Sequence, residues 1–264
     1  MVFDWLRRRR RERILADPFP DAWRQTLGTR VAAWADLDDD ERTLLCQLTQ
    51  VFVEEKNWEG LGGLEMDDDV RVTVAGQACL LILGLDHDLY RRVESILVYP
   101  STVFAPAEGS SIFGVATAPV SSPMPLLGQA WQRGPVILAW DAVRRGAADS
   151  RDGHNVVFHE FAHKLDMLSG GADGVPPLAD RETYDRWVQV FERGWHALHE
   201  RQAAGRRTFL DAYAGESPAE FFAVATEQFF EQGAAMEHKH PALYDVLRDF
   251  YRQDPARRRN RRTP

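Results

Sequence analysis

The sequence holds only two cysteines, Cys46 and Cys79, and neither belongs to a Cys-x-x-Cys pair. A thiolate zinc site, a redox dithiol and a disulfide framework are set aside on that ground. Both cysteines fall in apolar helical patterns, which suit buried free thiols in a reducing compartment. No apolar run approaches the roughly 20 residues that a membrane span requires. The opening Met-Val-Phe-Asp-Trp-Leu is a very short apolar piece followed by arginines, with no cleavage site, so it lacks the form of a secretory signal. A cytoplasmic protein is the expectation. Glycine clusters at Gly60-Leu61-Gly62-Gly63, without the spacing of a phosphate-binding loop and with no Gly-Lys-Ser/Thr after it. Internal repeats are absent.

What is present is an ordinary globular composition: 264 residues, 44% hydrophobic and 27% charged, with a net charge of -8. That length suffices for one large domain with a proper core. Arginine gathers at the two ends, Arg7 to Arg11 with Arg13, and Arg257 to Arg259 with Arg261 and Arg262. No aromatic residues interleave these runs. Solvated, frayed ends at residues 1–17 and 253–264 are therefore expected around a single domain at 18–252, and nucleic acid is not an expected partner.

Hydrophobic periodicity predicts a helix from Asp38 to Glu55, another from about Asp67 to Gly84, and longer ones over 181–202, 217–232 and 241–252. The glycine-rich piece at 58–65 reads as a tight turn between the first two. Residues 93–99, 111–118 and 135–140 read as strands. A small sheet thus precedes the most informative segment, Val156 to Asp166.

That segment contains His159-Glu160-Phe161-Ala162-His163 within an apolar helical run. Histidines four apart lie on one helix face, about 6 Å apart along the axis, so their imidazoles can converge on one metal ion. Glu160, rotated by about 100° from His159, can reach a water at that metal without ligating it, the position of a general base. Val156, Val157, Phe158, Phe161, Ala162 and Leu165 cover much of the remaining circumference, the mark of a helix buried on most sides.

Three protein ligands are usual for a catalytic zinc. Asp166 is seven residues from His159, roughly 10 Å along the axis, too far to share one ion, and is better suited to partnering a histidine. His196, His199, His238 and His240 sit in strongly polar surroundings and read as ordinary exposed histidines, with His87 and His154 similarly weak. Glu220 lies among Phe221, Phe222, Val224 and Phe229, yet Ser217-Pro218-Ala219-Glu220 also fits a capping box. Spacing alone leaves cap and ligand equally open. Glu227, two turns on, is the competitor, either a supporting acid or a half-buried charge.

Together, Trp58 to Glu65, Val72 to Gly84, Leu97-Val98-Tyr99-Pro100, Gly134 to Asp141, His159 to Asp166 and Asp211 to Phe230 resemble the Mlc titration factor A family of zinc metallopeptidases. The catalytic region of that family is similar to the anthrax lethal factor protease. These segments span most of the chain and leave out the arginine ends. The resemblance implies an α+β fold: a mainly helical, zincin-like (gluzincin) metallopeptidase domain with a small mixed sheet beside the His-Glu-x-x-His helix. It implies one catalytic Zn2+ on His159, His163 and Glu220, with Glu160 as general base and Tyr213 facing the substrate to stabilise the oxyanion. Asp166 falls where relatives carry an acid.

The implied activity is hydrolysis of peptides or proteins, aminopeptidase activity included. Members of that family also bind and inactivate the glucose repressor Mlc, which opens an alternative: a regulator-binding protein that sequesters an Mlc-type transcriptional repressor, linked to glucose uptake. The intact Glu160 favours the enzyme, because a pure binder has no need of a base beside the metal.

Overall fold

The computed structural model describes residues 2–101 and 134–260 of the chain. Helix α1 (Val2–Ala16) carries the first arginine run and is followed by α2 (Asp21–Arg30). Asp38 then accepts from the Glu41 N–H while the Glu41 carboxylate receives the Asp38 N–H, a complete capping box that starts α3 (Asp39–Glu55). Strand β1 (Asn57–Gly60) leads to α4 (Asp68–Leu81), capped by Asp67. Strands β2 (Ser95–Tyr99) and β3 (Val136–Ala139) come next, and the chain enters α5 (Trp140–Ala148) directly from β3. The remainder is helical: α6 (Val156–Asp166), α7 (Arg181–Ala203), α8 (Pro218–Glu231), α9 (Gly233–Lys239), α10 (Pro241–Tyr251) and α11 (Pro255–Asn260).

The molecule is thus mostly helical with a three-stranded sheet in the order β1-β2-β3. The sheet departs from the expected mixed one, because all three described strands run parallel. Between β1 and β2 the chain passes through α4, a crossover that brings it back in the same direction. The strand expected at 111–118 lies outside the described residues. The glycine-rich segment is also more than a turn: Asn57 to Gly60 pair with Ser95 to Val98. Glycine gives weak strand propensity, so this pairing depends on β2, a partner distant in the sequence.

The described parts of both basic ends are helical and bonded to the body. Arg11 bonds Glu55 (2.8 Å) and Asp88 (2.6 Å), and Gln50 Nε2 donates to the carbonyls of Ile14 and Asp17, so α1 is tied to α3. At the other end Gln253 Nε2 donates to the carbonyls of Leu80 and Leu81, meeting open acceptors at the end of α4. Arg258 is buried and joins Glu41 to Gln253. Gly84, expected inside the preceding helix, lies beyond its end, where an added Cβ would collide with the Tyr251 carbonyl.

Cys46 and Cys79 are free and buried. No helix among the described residues is long and apolar enough to cross a membrane. The core is continuous around α6. Phe161 meets Phe52 and Tyr90 edge-on, with centroids 5.7 and 4.9 Å apart, and Phe158 meets Phe230. Helix α8 is buried along almost its whole length and packs against α6, which brings its acidic side chains to the histidine face.

Candidate metal centre

Helix α6 begins at Asn155, whose side-chain oxygen accepts from the N–H groups of Val157 and Phe158, both at 3.1 Å. Such a cap contributes about 1 kcal/mol. Its amide nitrogen donates to Gln77 Oε1 and the Gly146 carbonyl, and its backbone N–H donates to Glu227 Oε2 at 2.6 Å. The start of α6 is therefore fixed to α4, to α5 and to α8 through one residue. The cap itself is visible in sequence as an asparagine before an apolar helical run, whereas the bond to Glu227 is not.

One turn further along α6, His159 and His163 present Nε2 atoms 3.2 Å apart. Glu220 supplies the third donor, with Oε2 3.0 Å from His159 Nε2 and Oε1 3.3 Å from His163 Nε2. The contrast with α3 explains why this is not a capping box. At Asp38 the Glu41 side chain folds back to the cap. At Ser217 only half of that motif forms: Ser217 Oγ accepts from the Glu220 N–H at 3.2 Å, while the Glu220 carboxylate turns to the histidines.

The donor set fits a small divalent cation. Nitrogen and oxygen donors about 2.0–2.1 Å from a tetrahedral ion lie roughly 3.3 Å from one another; the two Nε2 atoms are 3.2 Å apart, and each has one of the two Glu220 carboxylate oxygens at 3.0 or 3.3 Å. Glu220 Oε2 is buried and faces His159 Nε2 at 3.0 Å. Glu227 Oε1 lies 2.8 Å from His159 Nδ1. A carboxylate there holds the imidazole proton on Nδ1 and leaves the Nε2 lone pair for the ion. Among the described residues no other group of three such donors converges.

The electrostatics point the same way. Burial opposes a charge on His159, but the carboxylates of Glu220 and Glu227 outweigh it and raise its pKa well above the ordinary imidazole value. Burial likewise opposes ionisation of Glu220, yet the two histidines hold its pKa down at about 2. The pocket attracts positive charge. The histidine side chains are each 13% exposed, so the site is open on one side.

Tyr213, on a short 3-10 turn before α8, has its ring centroid 6.0 Å from that of His159. Its hydroxyl is buried without a hydrogen-bond partner, and burial with the nearby Glu220 carboxylate pushes its pKa up. Glu160 is half-buried, and its charge acts on both His159 and Tyr213.

Asp166 has no hydrogen bond to a histidine among the described residues, although His163 acts on its charge. It is fully buried, and its Oδ2 accepts the Gly174 N–H at 2.9 Å. Burial, only partly offset by that bond, raises its pKa to about 6. The Gly174 carbonyl in turn accepts from Trp187 Nε1 at 3.0 Å. Asp166 thus anchors the 169–177 loop, and Glu227 orients the histidine. A second buried acid escaped sequence reading. Glu231 Oε2 accepts the Gly153 N–H at 2.9 Å, and burial, with Asp152 nearby, raises its pKa to about 9.

Comparison with known proteins agrees with this geometry. The family model described as glucose-regulated metallo-peptidase M90 matches residues 4–252. An uncharacterized protein of Synechocystis, slr2042, is 37% identical over 253 residues, covering 96% of this chain and 90% of the relative. Mlc titration factor A of Serratia proteamaculans is 32% identical over 90% of this chain and 89% of its own length. The Yersinia pestis protein of that name is 31% identical over 90% and 87%. A metallopeptidase family requires a metal, and the one convergent donor set among the described residues lies inside the matched region. The chain belongs to the glucose-regulated metallo-peptidase M90 family.

Proposed function

We infer that this chain is a zincin-like peptidase whose single catalytic Zn2+ is held by His159, His163 and Glu220, in one domain that takes in Arg11 and Arg258. The observation that carries this reading is the convergence of the His159 and His163 Nε2 atoms and the Glu220 carboxylate, each within hydrogen-bonding distance of the next. When bound, such an ion acts as a Lewis acid toward the substrate carbonyl and the attacking water.

The chain's own residues supply the proton traffic. Glu160, one position past His159, takes a proton from the water and delivers it to the leaving amine. The Tyr213 phenol, kept protonated by burial and by Glu220, donates its O–H to the developing oxyanion. Glu227 keeps the His159 ring oriented. Peptides or proteins are the substrate class, aminopeptidase substrates among them.

A second reading rests on the name Mlc titration factor A carried by relatives. In it the chain binds an Mlc-type repressor in the cytoplasm, and peptidase activity is secondary to control of glucose uptake. One experiment separates the two: zinc content and cleavage of a peptide panel by wild type, Glu160→Gln and Glu220→Ala. Glu160→Gln should keep its metal and lose about 10²–10⁴-fold in rate, the usual worth of a general base. Glu220→Ala should lose most of the metal. Full zinc occupancy in Glu220→Ala overturns the ligand assignment, and absence of any Glu160-dependent cleavage turns the reading to the binder.

A further inference from the structure

Away from the metal centre, exposed apolar and basic side chains concentrate on a single helix. Five large hydrophobic side chains are exposed among the described residues, and three of them, Trp5, Leu6 and Leu15, lie on α1. Trp5 is 52% and Leu6 49% exposed, on the helix that also carries six arginines against two acids.

Helical period sorts these residues into two faces. Arg7, Arg11 and Ile14 are half-buried, and the bonds of Arg11 to Glu55 and Asp88 turn that side to the body. On the opposite side Trp5, Arg9 and Arg13 recur at four-residue spacing, with Leu6 at one edge and Arg8 at the other, all exposed, and a single acid, Glu12, shares this face beside Trp5. The Arg9 guanidinium lies over the Trp5 ring, 4.4 Å from its centroid, which holds both in the outward stripe.

Arginines of this kind suit phosphate groups, and two polymers of phosphate compete for them. Nucleic acid uses the cations but gains nothing from Leu6 left in water. A bilayer interface uses both kinds: tryptophan settles at headgroup level, leucine enters the acyl boundary, and basic residues meet anionic lipid. The chain as a whole carries a net charge of -8, so its other surfaces are repelled by such a membrane and the basic face is turned toward it. Because arginines interrupt the apolar positions, the contact is shallow, reversible and sensitive to salt.

We propose that the outward face of α1 docks the protein onto an anionic phospholipid surface, with Trp5 and Leu6 in the headgroup layer and Arg8, Arg9 and Arg13 against lipid phosphates. This does not depend on the peptidase reading.

The test is co-sedimentation of the full chain with vesicles of equal parts phosphatidylcholine and phosphatidylglycerol, and with phosphatidylcholine alone. Binding is expected to the mixed vesicles only. Each arginine near the surface is worth about fivefold in partitioning, so Arg9→Gln with Arg13→Gln should lower binding by at least about tenfold. Trp5→Ser with Leu6→Ser should also release the protein. Both variants should keep the wild-type melting temperature, since these side chains are exposed. Failure of the wild type to bind the mixed vesicles overturns the proposal. So does undiminished binding by the Trp5/Leu6 variant, or retention on duplex DNA in place of vesicles.

Discussion

Replacing Glu227 by glutamine tests whether the metal centre is supported from behind. The native carboxylate accepts two hydrogen bonds, from His159 Nδ1 at 2.8 Å and from the Asn155 N–H at 2.6 Å. Glutamine has the same shape but one acceptor oxygen. Whichever donor the amide oxygen satisfies, its NH₂ group must face the other, so one buried donor loses its partner. That costs about 1–3 kcal/mol. If the amide nitrogen faces His159, the imidazole also loses the carboxylate that holds its proton on Nδ1, and outer-shell losses of this kind lower metal affinity by about 10–100-fold.

The assay is zinc titration of the metal-free protein against a competing chromogenic chelator, with thermal melting of the same metal-free samples. Zinc affinity should fall in that range in Glu227→Gln, and by more than its melting temperature accounts for. Wild-type zinc affinity in both Glu227→Gln and Glu227→Ala would refute the orienting role and return Glu227 to an ordinary buried acid.

Two further outcomes follow from the same geometry. Glu231 has a folded pKa of about 9 against an ordinary 4.5, so between those values the folded state holds a proton the unfolded state has released. Wild-type stability then falls as pH rises through that window, by up to about 1.4 kcal/mol per pH unit. Glu231→Gln removes the titration, so its stability relative to wild type should climb across the window in denaturant melts. A difference independent of pH would show that Glu231 ionises normally. Gly174 has φ +78°, and an added Cβ would lie 2.5 Å from the Pro218 carbonyl oxygen. Gly174→Ala should cost about 1–3 kcal/mol in strain, and it should weaken zinc binding, because Pro218 opens the turn that bears Glu220. Unfolding at the wild-type denaturant midpoint would contradict this.

Much of the scaffold was legible locally. Apolar periodicity located α3, α4, α6, α7, α8 and α10, and Asp38 and Ser217 marked helix starts, because helical period and capping are properties of a few neighbouring residues. Of α5 only Trp140 is covered by the sequence reading, as the end of a strand, since it continues the apolar run of β3 without a break signal. The arginine ends misled for a different reason. A run of like charges reads as solvated unless its partners are known, and the partners of Arg11 and Arg258 lie 44 and 217 positions away.

The sequence by itself determined the two-histidine face of α6 and the adjacent Glu160, because a spacing of four on a helix admits little else. Local pattern could not choose between the two uses of Glu220, or rank Glu227 against Asp166. The packing of α8 on α6 supplies the placement on which the proposed roles rest: it turns the Glu220 carboxylate toward the histidines, brings Glu227 to His159 and leaves Asp166 bonded to the Gly174 N–H. Where a helix begins is set by its neighbours in sequence; which of its acids reaches a histidine some sixty residues earlier is set by how two buried helices meet.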